Sequence, residues 1–273
     1  MRDFLIRFAT AIPLVVALLA AILLDPTPWS VVAFAAVVAA LATDEYLRMA
    51  LPVTGADAAL GLRVGATLAS ITIVAAPSIW GIGALAPALA GSTLLLAILV
   101  LTRKSALEAA GRHLGVCLSG LVYIAVMLAH LPLLKIGGKP HWLVVTLCTA
   151  FFADTIAYVF GRLFGKRKLY PEVSPGKSVE GAFGGIVGSV LATVGIGSLW
   201  TLPQLPIGHA VVVGVLASVC GQTGDLVESM IKRTFGVKDS GKLLPGHGGM
   251  LDRIDALLFV SPVVYYFIVL TGT

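Results

Sequence analysis

Charged residues are scarce in this 273-residue chain. They make up 12% of the sequence, whereas hydrophobic residues make up 58%. A soluble domain carries about 25% charged residues, so the composition excludes a soluble globular enzyme. Apolar runs of about 20 residues, the length that a helix needs to cross a bilayer, recur along the whole chain. The sequence therefore predicts an all-α polytopic membrane protein.

Cysteine is also scarce. The three cysteines, Cys117, Cys148 and Cys220, each lie within an apolar run. Their number and spacing exclude a disulfide framework and a zinc site, so we expect small buried apolar residues. A net charge of +5 would suggest nucleic acid as a partner of a soluble protein. Membrane topology explains this charge better, and we expect no nucleic-acid partner.

The apolar runs predict about nine transmembrane helices. The predicted spans are 4–24, 28–47, 64–82, 84–101, 114–134, 142–161, 182–200, 207–231 and 254–271. The first span begins with Arg2 and Arg7, as a signal peptide would. Its apolar run is long for a signal peptide and further spans follow, so we predict a retained anchor.

Lysine and arginine divide unequally between the two sides of the membrane. If the N-terminus is cytoplasmic, 17 of the 19 basic residues face the cytoplasm, and only Lys135 and Lys139 face the other side. This is the positive-inside pattern. It predicts a cytoplasmic N-terminus, a C-terminus on the opposite side, and two cytoplasmic polar loops, 162–181 and 232–253. The short loops, and no targeting segment, lead us to expect a bacterial inner membrane.

Acidic residues concentrate in the second half of the chain. Eight of the 14 lie between Asp154 and Asp255. We therefore predict an N-terminal transmembrane scaffold, residues 1–110, with about four helices. A catalytic transmembrane region with about five helices follows in residues 111–273. No motif repeats between the halves, which weakens an inverted-repeat transporter interpretation.

Three carboxylates lie inside apolar spans. Asp154 lies in TAFFADTIAYVFG, and Asp225 and Glu228 lie in CGQTGDLVESMIKR. An acid at membrane depth costs a few kcal/mol and normally faces a cavity, a cation or a bound ion. A helix–helix salt bridge, or a protonated carboxyl in a packed interface, is the structural alternative. The small and polar residues before Asp225 favour a cavity.

A second pair of acidic residues lies at the start of the last span, after the segment PGHGG. Asp252 and Asp255 are three residues apart and share a helix face, although the helix dipole alone could explain one of them. Gly248 and Gly249 allow the backbone to approach a ligand, and N–H groups at such a junction suit anionic oxygens. A plain interhelical turn is the alternative.

These carboxylates predict a hard cation. Oxygen ligands without clustered cysteine or histidine favour Mg²⁺, with or without a second cation. The surrounding basic residues would repel a metal but would suit a nucleoside triphosphate that arrives with it. They are Lys232, Arg233, Lys238, Lys242 and Arg253. Some of them would serve only as positive-inside markers.

The other basic loop contains SPGKSVEG. Ser174 and Ser178 offer hydroxyls, Lys177 a charge and Glu180 a nearby acid, which together predict a phosphate clamp. A capping box at a helix start is the structural alternative.

Residues 229–255, SMIKRTFGVKDSGKLLPGHGGMLDRID, resemble the signature of the phosphatidate cytidylyltransferase (CDP-diacylglycerol synthase) family. That signature is S-x-x-K-R-x4-K-D-x-[GSA]-x2-[LIF]-[PGS]-x-H-G-G-x-x-D-R-x-D. The segment ADTIAYVFGRLFGKRKL and the SPGKSVEG loop also resemble the family, and DEYLRM, residues 44–49, does so more weakly. The resemblance covers about residues 110–270. At Gly176 and Ser178 the chain departs from the SPKKT common in the family, which would weaken a phosphate contact.

The resemblance implies CMP transfer from CTP to phosphatidic acid in the bilayer, with Mg²⁺ required, and a homodimer. It implies metal ligands Asp225 and Asp252 first, then Asp255, Glu228 and Asp154. The implied catalytic residues are Asp225, Asp252, Lys232, Arg233, Lys242, Arg253 and His247. The implied substrate-binding residues are Ser174, Lys177, Ser178, Glu180, Lys238, Asp239, Gly248, Gly249 and Asp154. We assign His247 no proton transfer, because a phosphomonoester with a second pKa of about 6 is already mostly ionised at pH 7.

Two other functions account for part of the pattern. A CDP-alcohol phosphotransferase also uses aspartates on helix ends, but its D-G-x2-A-R-x8-G-x3-D-x3-D motif is absent. A cation-coupled transporter would explain the buried acids but not the basic cytoplasmic loops.

Overall fold

A computed structural model describes most of the chain. The described residues are 20, 22, 25, 27–51, 56–102, 107–136, 140–202, 204–243 and 248–273. Apart from residues 20 and 22, the first predicted span, 4–24, lies outside these ranges. His247 lies outside them as well.

Helices dominate the described chain. They are α1 Trp29–Ala50, α2 Ala56–Trp80, α3 Leu85–Leu101, α4 Leu107–Gly120, α5 His130–Ile136, α6 Pro140–Phe164, α7 Val179–Ala192, α8 Ile207–Thr234 and α9 Leu251–Thr271. A short 3-10 turn, Ile82–Ala84, precedes α3. Wider π-helical segments, Leu121–Val126 and Thr193–Thr201, continue α4 and α7. Two short strands, β1 Lys168–Tyr170 and β2 Ser174–Ser178, lie between α6 and α7.

Eight helical segments in the described residues are long and apolar enough to cross a membrane. They are Trp29–Ala50, Leu60–Trp80, Ile82–Leu101, Ala109–Ile136, Pro140–Phe164, Val179–Thr201, Ile207–Thr234 and Leu251–Thr271. Each agrees with a predicted span to within five residues at either end. Helices suit this role because they satisfy their own backbone groups in lipid. The prediction of an all-α polytopic membrane protein is confirmed.

The chain forms two compact units. Unit 1 comprises Met1–Ile136 and Asp239–Arg253, and unit 2 comprises Gly137–Lys238 and Ile254–Thr273. The signature segment is thus divided, with most of its polar loop in unit 1. The functional division at residue 110 stays a prediction.

In unit 1, polar contacts fix the two ends of α1. Before the helix, the Asp25 carboxylate accepts hydrogen bonds from Thr27 and Ser30, which hold the pKa of this exposed carboxyl well below its usual range. Near its other end, Asp44 forms ion pairs with Arg48, at 2.7 Å, and with Arg63 of α2. The packed face of α1 between these ends is apolar and includes the fully buried Val31 and Ala39.

In unit 2, glycines let α6 and α7 pack closely. Gly181, Gly184, Gly185 and Gly188 of α7 are buried, and a Cβ at Gly188 would lie 2.5 Å from the Phe152 carbonyl oxygen. Small residues at this spacing are typical of tightly packed membrane helices. The Ser189 hydroxyl then donates a hydrogen bond to the Gly214 carbonyl of α8, at 2.6 Å.

The polar loop 162–181 contains a β-hairpin that the sequence analysis missed. The strands β1 and β2 are antiparallel, with Lys168 opposite Ser178 and Tyr170 opposite Ser174. The Glu180 carboxylate accepts the N–H groups of Lys166, at 3.0 Å, and Arg167. It thereby ties the chain before β1 to the first turn of α7. Such short polar strands lack the alternating apolar pattern from which strands are predicted.

Candidate functional site

Unit 2 contains a cavity of about 490 Å³. It lies among α6, the hairpin, the start of α7 and the middle of α8. The ionisable and amide side chains that line it are those of Asp154, Tyr158, Arg162, Lys177, Gln222 and Asp225. A cavity with both acidic and basic side chains can bind a polyanion together with a cation.

One face of α6 supplies a row of polar side chains to this cavity. Asp154, Tyr158 and Arg162 follow one another at four-residue intervals and therefore share a helix face. The Arg162 guanidinium donates a hydrogen bond to the Tyr158 hydroxyl, at 3.2 Å. Of these three residues, the sequence predicts only Asp154 as a site residue. The four-residue spacing from this acid within an apolar span is the signal that could have found the other two.

The hairpin brings a lysine to the carboxylate of α8. Lys177 Nζ lies 2.6 Å from Asp225 Oδ2, and both side chains are partly buried. Ser174 and Gly176 also line the cavity. Ser174, Lys177 and Ser178 of the predicted phosphate clamp therefore line the same cavity as Asp225, whereas Glu180 is not among its lining residues.

Two members of the predicted phosphate clamp also have structural roles. Ser178 is the N-cap of α7, and its hydroxyl accepts the Gly181 N–H at 3.1 Å. Glu180 anchors the chain before the hairpin. Ser178 is therefore an N-cap without the capping box that the sequence offered as an alternative, since the third residue of the helix is Gly181. Ser178 lines the cavity as well.

Three carboxylates of unit 2 form a cluster that could hold a metal ion. Asp225 and Glu228 of α8 and Asp255 of α9 each offer an oxygen atom, and these atoms lie within 4.8 Å of one another. Gly224 lets the two helices meet, since a Cβ there would lie 2.6 Å from the Asp255 carbonyl oxygen. Of the predicted metal ligands, three therefore lie close together in this unit.

Cationic side chains offset the charge of this cluster. Two unit charges about 4 Å apart repel by roughly 4 kcal/mol at an effective dielectric constant of about 20, so neighbouring carboxylates need cations. Lys177 pairs with Asp225, and Lys232 pairs with Glu228 one helical turn earlier. The Glu228 side chain is 1% exposed, and that of Lys232 is 11% exposed.

The cluster fits a divalent ion in size and chemistry. Mg²⁺ binds oxygen at about 2.1 Å, so ligands on opposite sides of the ion lie about 4.2 Å apart. The three cluster oxygens lie within 4.8 Å of one another, a separation of the same order. The donor set consists of carboxylates, which Mg²⁺ prefers over the nitrogen and sulfur ligands of zinc.

Unit 1 holds another predicted metal ligand, Asp252, in a different setting. Its Oδ2 atom accepts hydrogen bonds from Ser240 N and Oγ, both at 2.9 Å, and from Gly249 N at 2.8 Å. Gly248 has φ +82°, which favours glycine, and a Cβ there would lie 2.6 Å from the same oxygen. The anionic oxygen that the glycine-rich backbone binds is therefore one of the chain's own.

Glu45 of α1 is a buried acid that sequence reasoning missed. Its carboxylate accepts the N–H groups of Met250 and Leu251, at 2.9 and 3.0 Å. The signals that could have found it are an acid within an apolar helix and the weak family resemblance of residues 44–49.

The remaining predicted site residues are exposed. They are Arg233, Lys238, Asp239, Lys242 and Arg253. Arg233 also donates a hydrogen bond to the Val237 carbonyl, at 3.2 Å, which closes the turn after α8. Their roles in binding stay predictions.

The chain is similar to bacterial proteins over about half its length. It is 52% identical to the phosphatidate cytidylyltransferase of Bacillus subtilis over 120 residues, 43% of each protein. It is 40% identical to that of Staphylococcus haemolyticus over 148 residues, 54% of this chain and 56% of the relative. An uncharacterised Escherichia coli protein, YnbB, is 46% identical over 144 residues, 53% of this chain and 48% of the relative. The chain thus spans about half the length of the curated relatives it matches.

The match to a protein family is more extensive. A sequence model of the cytidylyltransferase family aligns with residues 5–271, nearly the whole chain. This range includes the cavity, the carboxylate cluster and the Asp252 segment, so the chain belongs to the cytidylyltransferase family.

Proposed function

We propose that the chain is a phosphatidate cytidylyltransferase. It transfers CMP from CTP to phosphatidic acid and yields CDP-diacylglycerol and pyrophosphate. The observation that carries the proposal is the three-carboxylate cluster bordered by Lys177 and Lys232, with Asp225 lining the cavity. The printed names of two relatives support the same reaction. Family membership favours this function over a cation-coupled transporter or a CDP-alcohol phosphotransferase.

The cations of the cavity bind the phosphates. Lys177 reaches the cavity from the hairpin and Arg162 from α6, so phosphate oxygens can meet a positive charge from two elements. Arginine binds phosphate through two parallel hydrogen bonds and lysine acts as a point charge. The exposed residues Arg233, Lys238, Lys242 and Arg253 are the further candidates for holding the pyrophosphate.

The reaction is a direct displacement. An oxygen of the phosphatidate phosphate forms a bond to the α-phosphorus of CTP. The bond between that phosphorus and the α–β bridging oxygen breaks, and pyrophosphate leaves with the bonding electrons. The lipid phosphate is mostly a dianion at pH 7, because its second pKa is about 6. No general base is therefore required. His247 instead donates a hydrogen bond to a phosphate oxygen or shapes the loop.

Mg²⁺ is the metal that the carboxylates would hold. Asp225, Glu228 and Asp255 are its candidate ligands by geometry, and the family resemblance adds Asp252. When bound, the ion supplies Lewis-acid neutralisation of charge on the triphosphate.

The membrane setting suits both substrates. Positive-inside topology would place the loops 162–181 and 232–253 on the cytoplasmic side of a bacterial inner membrane, the side on which CTP is found. Large apolar side chains of α6 and α7, such as Phe151, Leu163 and Phe183, are exposed and suit acyl chains. A homodimer follows from the family resemblance.

The test is turnover by the purified protein in detergent micelles with CTP, phosphatidate and Mg²⁺. CDP-diacylglycerol and pyrophosphate should form in equal amounts, and replacing phosphatidate with diacylglycerol should abolish both. Wild-type protein that yields no CDP-diacylglycerol would overturn the proposal. Release of CMP from CDP-diacylglycerol and an alcohol acceptor would instead indicate a phosphotransferase.

A further inference from the structure

The Glu45 carboxylate binds the start of the last helix. Only 7% of this residue is exposed. Its Oε1 accepts the Met250 N–H at 2.9 Å, and its Oε2 accepts the Leu251 N–H at 3.0 Å and lies 3.1 Å from the Ser240 hydroxyl. Residue 45 thus holds a backbone segment more than 200 positions later in the chain.

The contacts suit a charged carboxylate. The first N–H groups of a helix have no partner within the helix and carry the positive end of its dipole. A buried carboxylate is costly unless charge-assisted hydrogen bonds of this kind compensate it. The Glu45 carboxylate therefore provides hydrogen-bond acceptors for the first N–H groups of the helix, and these N–H groups compensate the buried charge of the carboxylate.

Ser240 links Glu45 to Asp252. Its hydroxyl oxygen lies 3.1 Å from Glu45 Oε2 and 2.9 Å from Asp252 Oδ2, while its backbone N–H donates to the same Asp252 oxygen. A serine hydroxyl has one proton, so it serves one carboxylate at a time. The position of Ser240, and with it two of the donors to Asp252, depends on the Glu45 side chain.

Two glycines of the signature segment make room for this carboxylate. A Cβ at Gly249 would lie 2.7 Å from the Glu45 carboxyl carbon, and one at Gly241 would lie 2.6 Å from Oε1. Real Cβ atoms essentially never approach heavy atoms so closely. The segment is therefore built around Glu45 on both sides of residues 242–248.

We propose that Glu45 is a positioning residue for Asp252. Through Ser240 and the N–H groups of residues 250 and 251 it fixes the turn that presents the Asp252 carboxylate. The inference rests on the proposed function only where it assigns Asp252 to the metal site. In this proposal Glu45 acts through its hydrogen bonds to the turn and not through contact with substrate or metal.

Replacing Glu45 with glutamine tests the inference. The amide keeps the size of the side chain but turns one acceptor into a donor, which cannot bind an N–H group. Amide hydrogen exchange of the 248–253 peptide in metal-free protein should become at least about tenfold faster. Mn²⁺ binding, measured by electron paramagnetic resonance, and turnover at saturating CTP should each weaken by about 10- to 100-fold, the usual effect of losing a partner that orients a metal ligand.

Asp44→Asn is the matched control. Asp44 precedes Glu45 on the same helix but pairs with Arg48 and Arg63, so its loss should leave Mn²⁺ affinity and exchange of the 248–253 peptide unchanged. Should Glu45→Gln fail to fold, Ser240→Ala removes the hydroxyl alone and should still weaken Mn²⁺ binding.

The three measurements separate the possible failures. Wild-type exchange and Mn²⁺ affinity in Glu45→Gln would overturn the inference, and so would an equal loss of Mn²⁺ affinity in Asp44→Asn. Wild-type protein without cytidylyltransferase turnover would overturn the proposed function, whereas the exchange experiment would still decide whether Glu45 holds the segment.

Discussion

Two groups of carboxylates in this protein are neutralised in different ways. In unit 2, the ammonium groups of Lys177 and Lys232 pair with Asp225 and Glu228. In unit 1, Glu45 and Asp252 instead accept hydrogen bonds from backbone N–H groups and a serine hydroxyl. A lysine side chain is flexible and can change partners, whereas a backbone N–H group is fixed by the fold. The unit 2 group is therefore suited to exchange ligands, and the unit 1 group to hold a geometry.

The largest expected effect comes from the unit 2 carboxylates, whose lysine partners can change. Asp225→Asn keeps the shape of the side chain but removes the charge that pairs with Lys177 and would hold a cation. We expect turnover to fall by about a thousandfold, or roughly 4 kcal/mol of transition-state stabilisation, while the protein stays folded in the membrane. Turnover is measured in micelles, and folding by size-exclusion chromatography.

Glu172→Gln is the control for Asp225→Asn. Glu172 is an exposed acid in the hairpin turn, so losing its charge should leave turnover within about twofold of wild type. Full activity of Asp225→Asn would remove this residue from the metal site and weaken the contrast between the two groups.

The buried pair Lys232–Glu228 tests whether charge here serves stability or function. Removing one partner of a buried pair costs about 3–5 kcal/mol, because the other charge is left uncompensated. Lys232→Met should therefore lower the thermal midpoint strongly. Adding Glu228→Leu should recover most of that loss, since an apolar pair of similar size is often as stable.

Activity separates the two roles in the same variants. The double variant should remain inactive if Glu228 is a metal ligand. A double variant that recovers both stability and turnover would show that the pair is only structural, and the cluster would then lack one of its three candidate ligands.

Lys177 should give a smaller effect that differs between metal and substrate. Lys177→Met leaves Asp225 without its ammonium partner, so the carboxylate should bind Mg²⁺ more tightly. The phosphates lose a cation, and turnover should fall by about 10- to 100-fold. A titration of activity against Mg²⁺ at fixed CTP measures both changes. A variant that needs more Mg²⁺ than wild type to reach half of its maximal activity would contradict exchange between lysine and metal.

The spans and the acids within them were predictable because both depend on local composition. About twenty apolar residues in succession must cross a bilayer, and the described helices follow these runs closely. Asp154, Asp225 and Glu228 stood out for the converse reason, because an acid in such a run needs a ligand or a partner. The close approach of Asp225, Glu228 and Asp255 is consistent with that expectation.

The features that the sequence did not reveal leave no local sequence pattern. Glu45 meets Met250 and Leu251 across more than 200 positions, and no spacing rule links them. The hairpin has strands of three and five residues with a proline in the second, so neither propensity nor alternation indicates it. Gly249 was expected to admit a ligand, whereas its position against Glu45 also explains it.

The smallest expected effect comes from Glu180. This residue lies in unit 2, but its carboxylate accepts hydrogen bonds from backbone N–H groups, as those of Glu45 and Asp252 do. It accepts the N–H groups of Lys166 and Arg167 and so fixes the start of the hairpin that carries Lys177. These hydrogen bonds are exposed to solvent, so they stabilise the fold only weakly. Glu180→Gln should therefore reduce turnover only a few-fold, while trypsin cleavage after Arg167 and Lys168 becomes faster. Loss of activity as complete as in Asp225→Asn, with cleavage unchanged, would indicate that Glu180 meets the substrate directly and that backbone-held carboxylates are not confined to positioning.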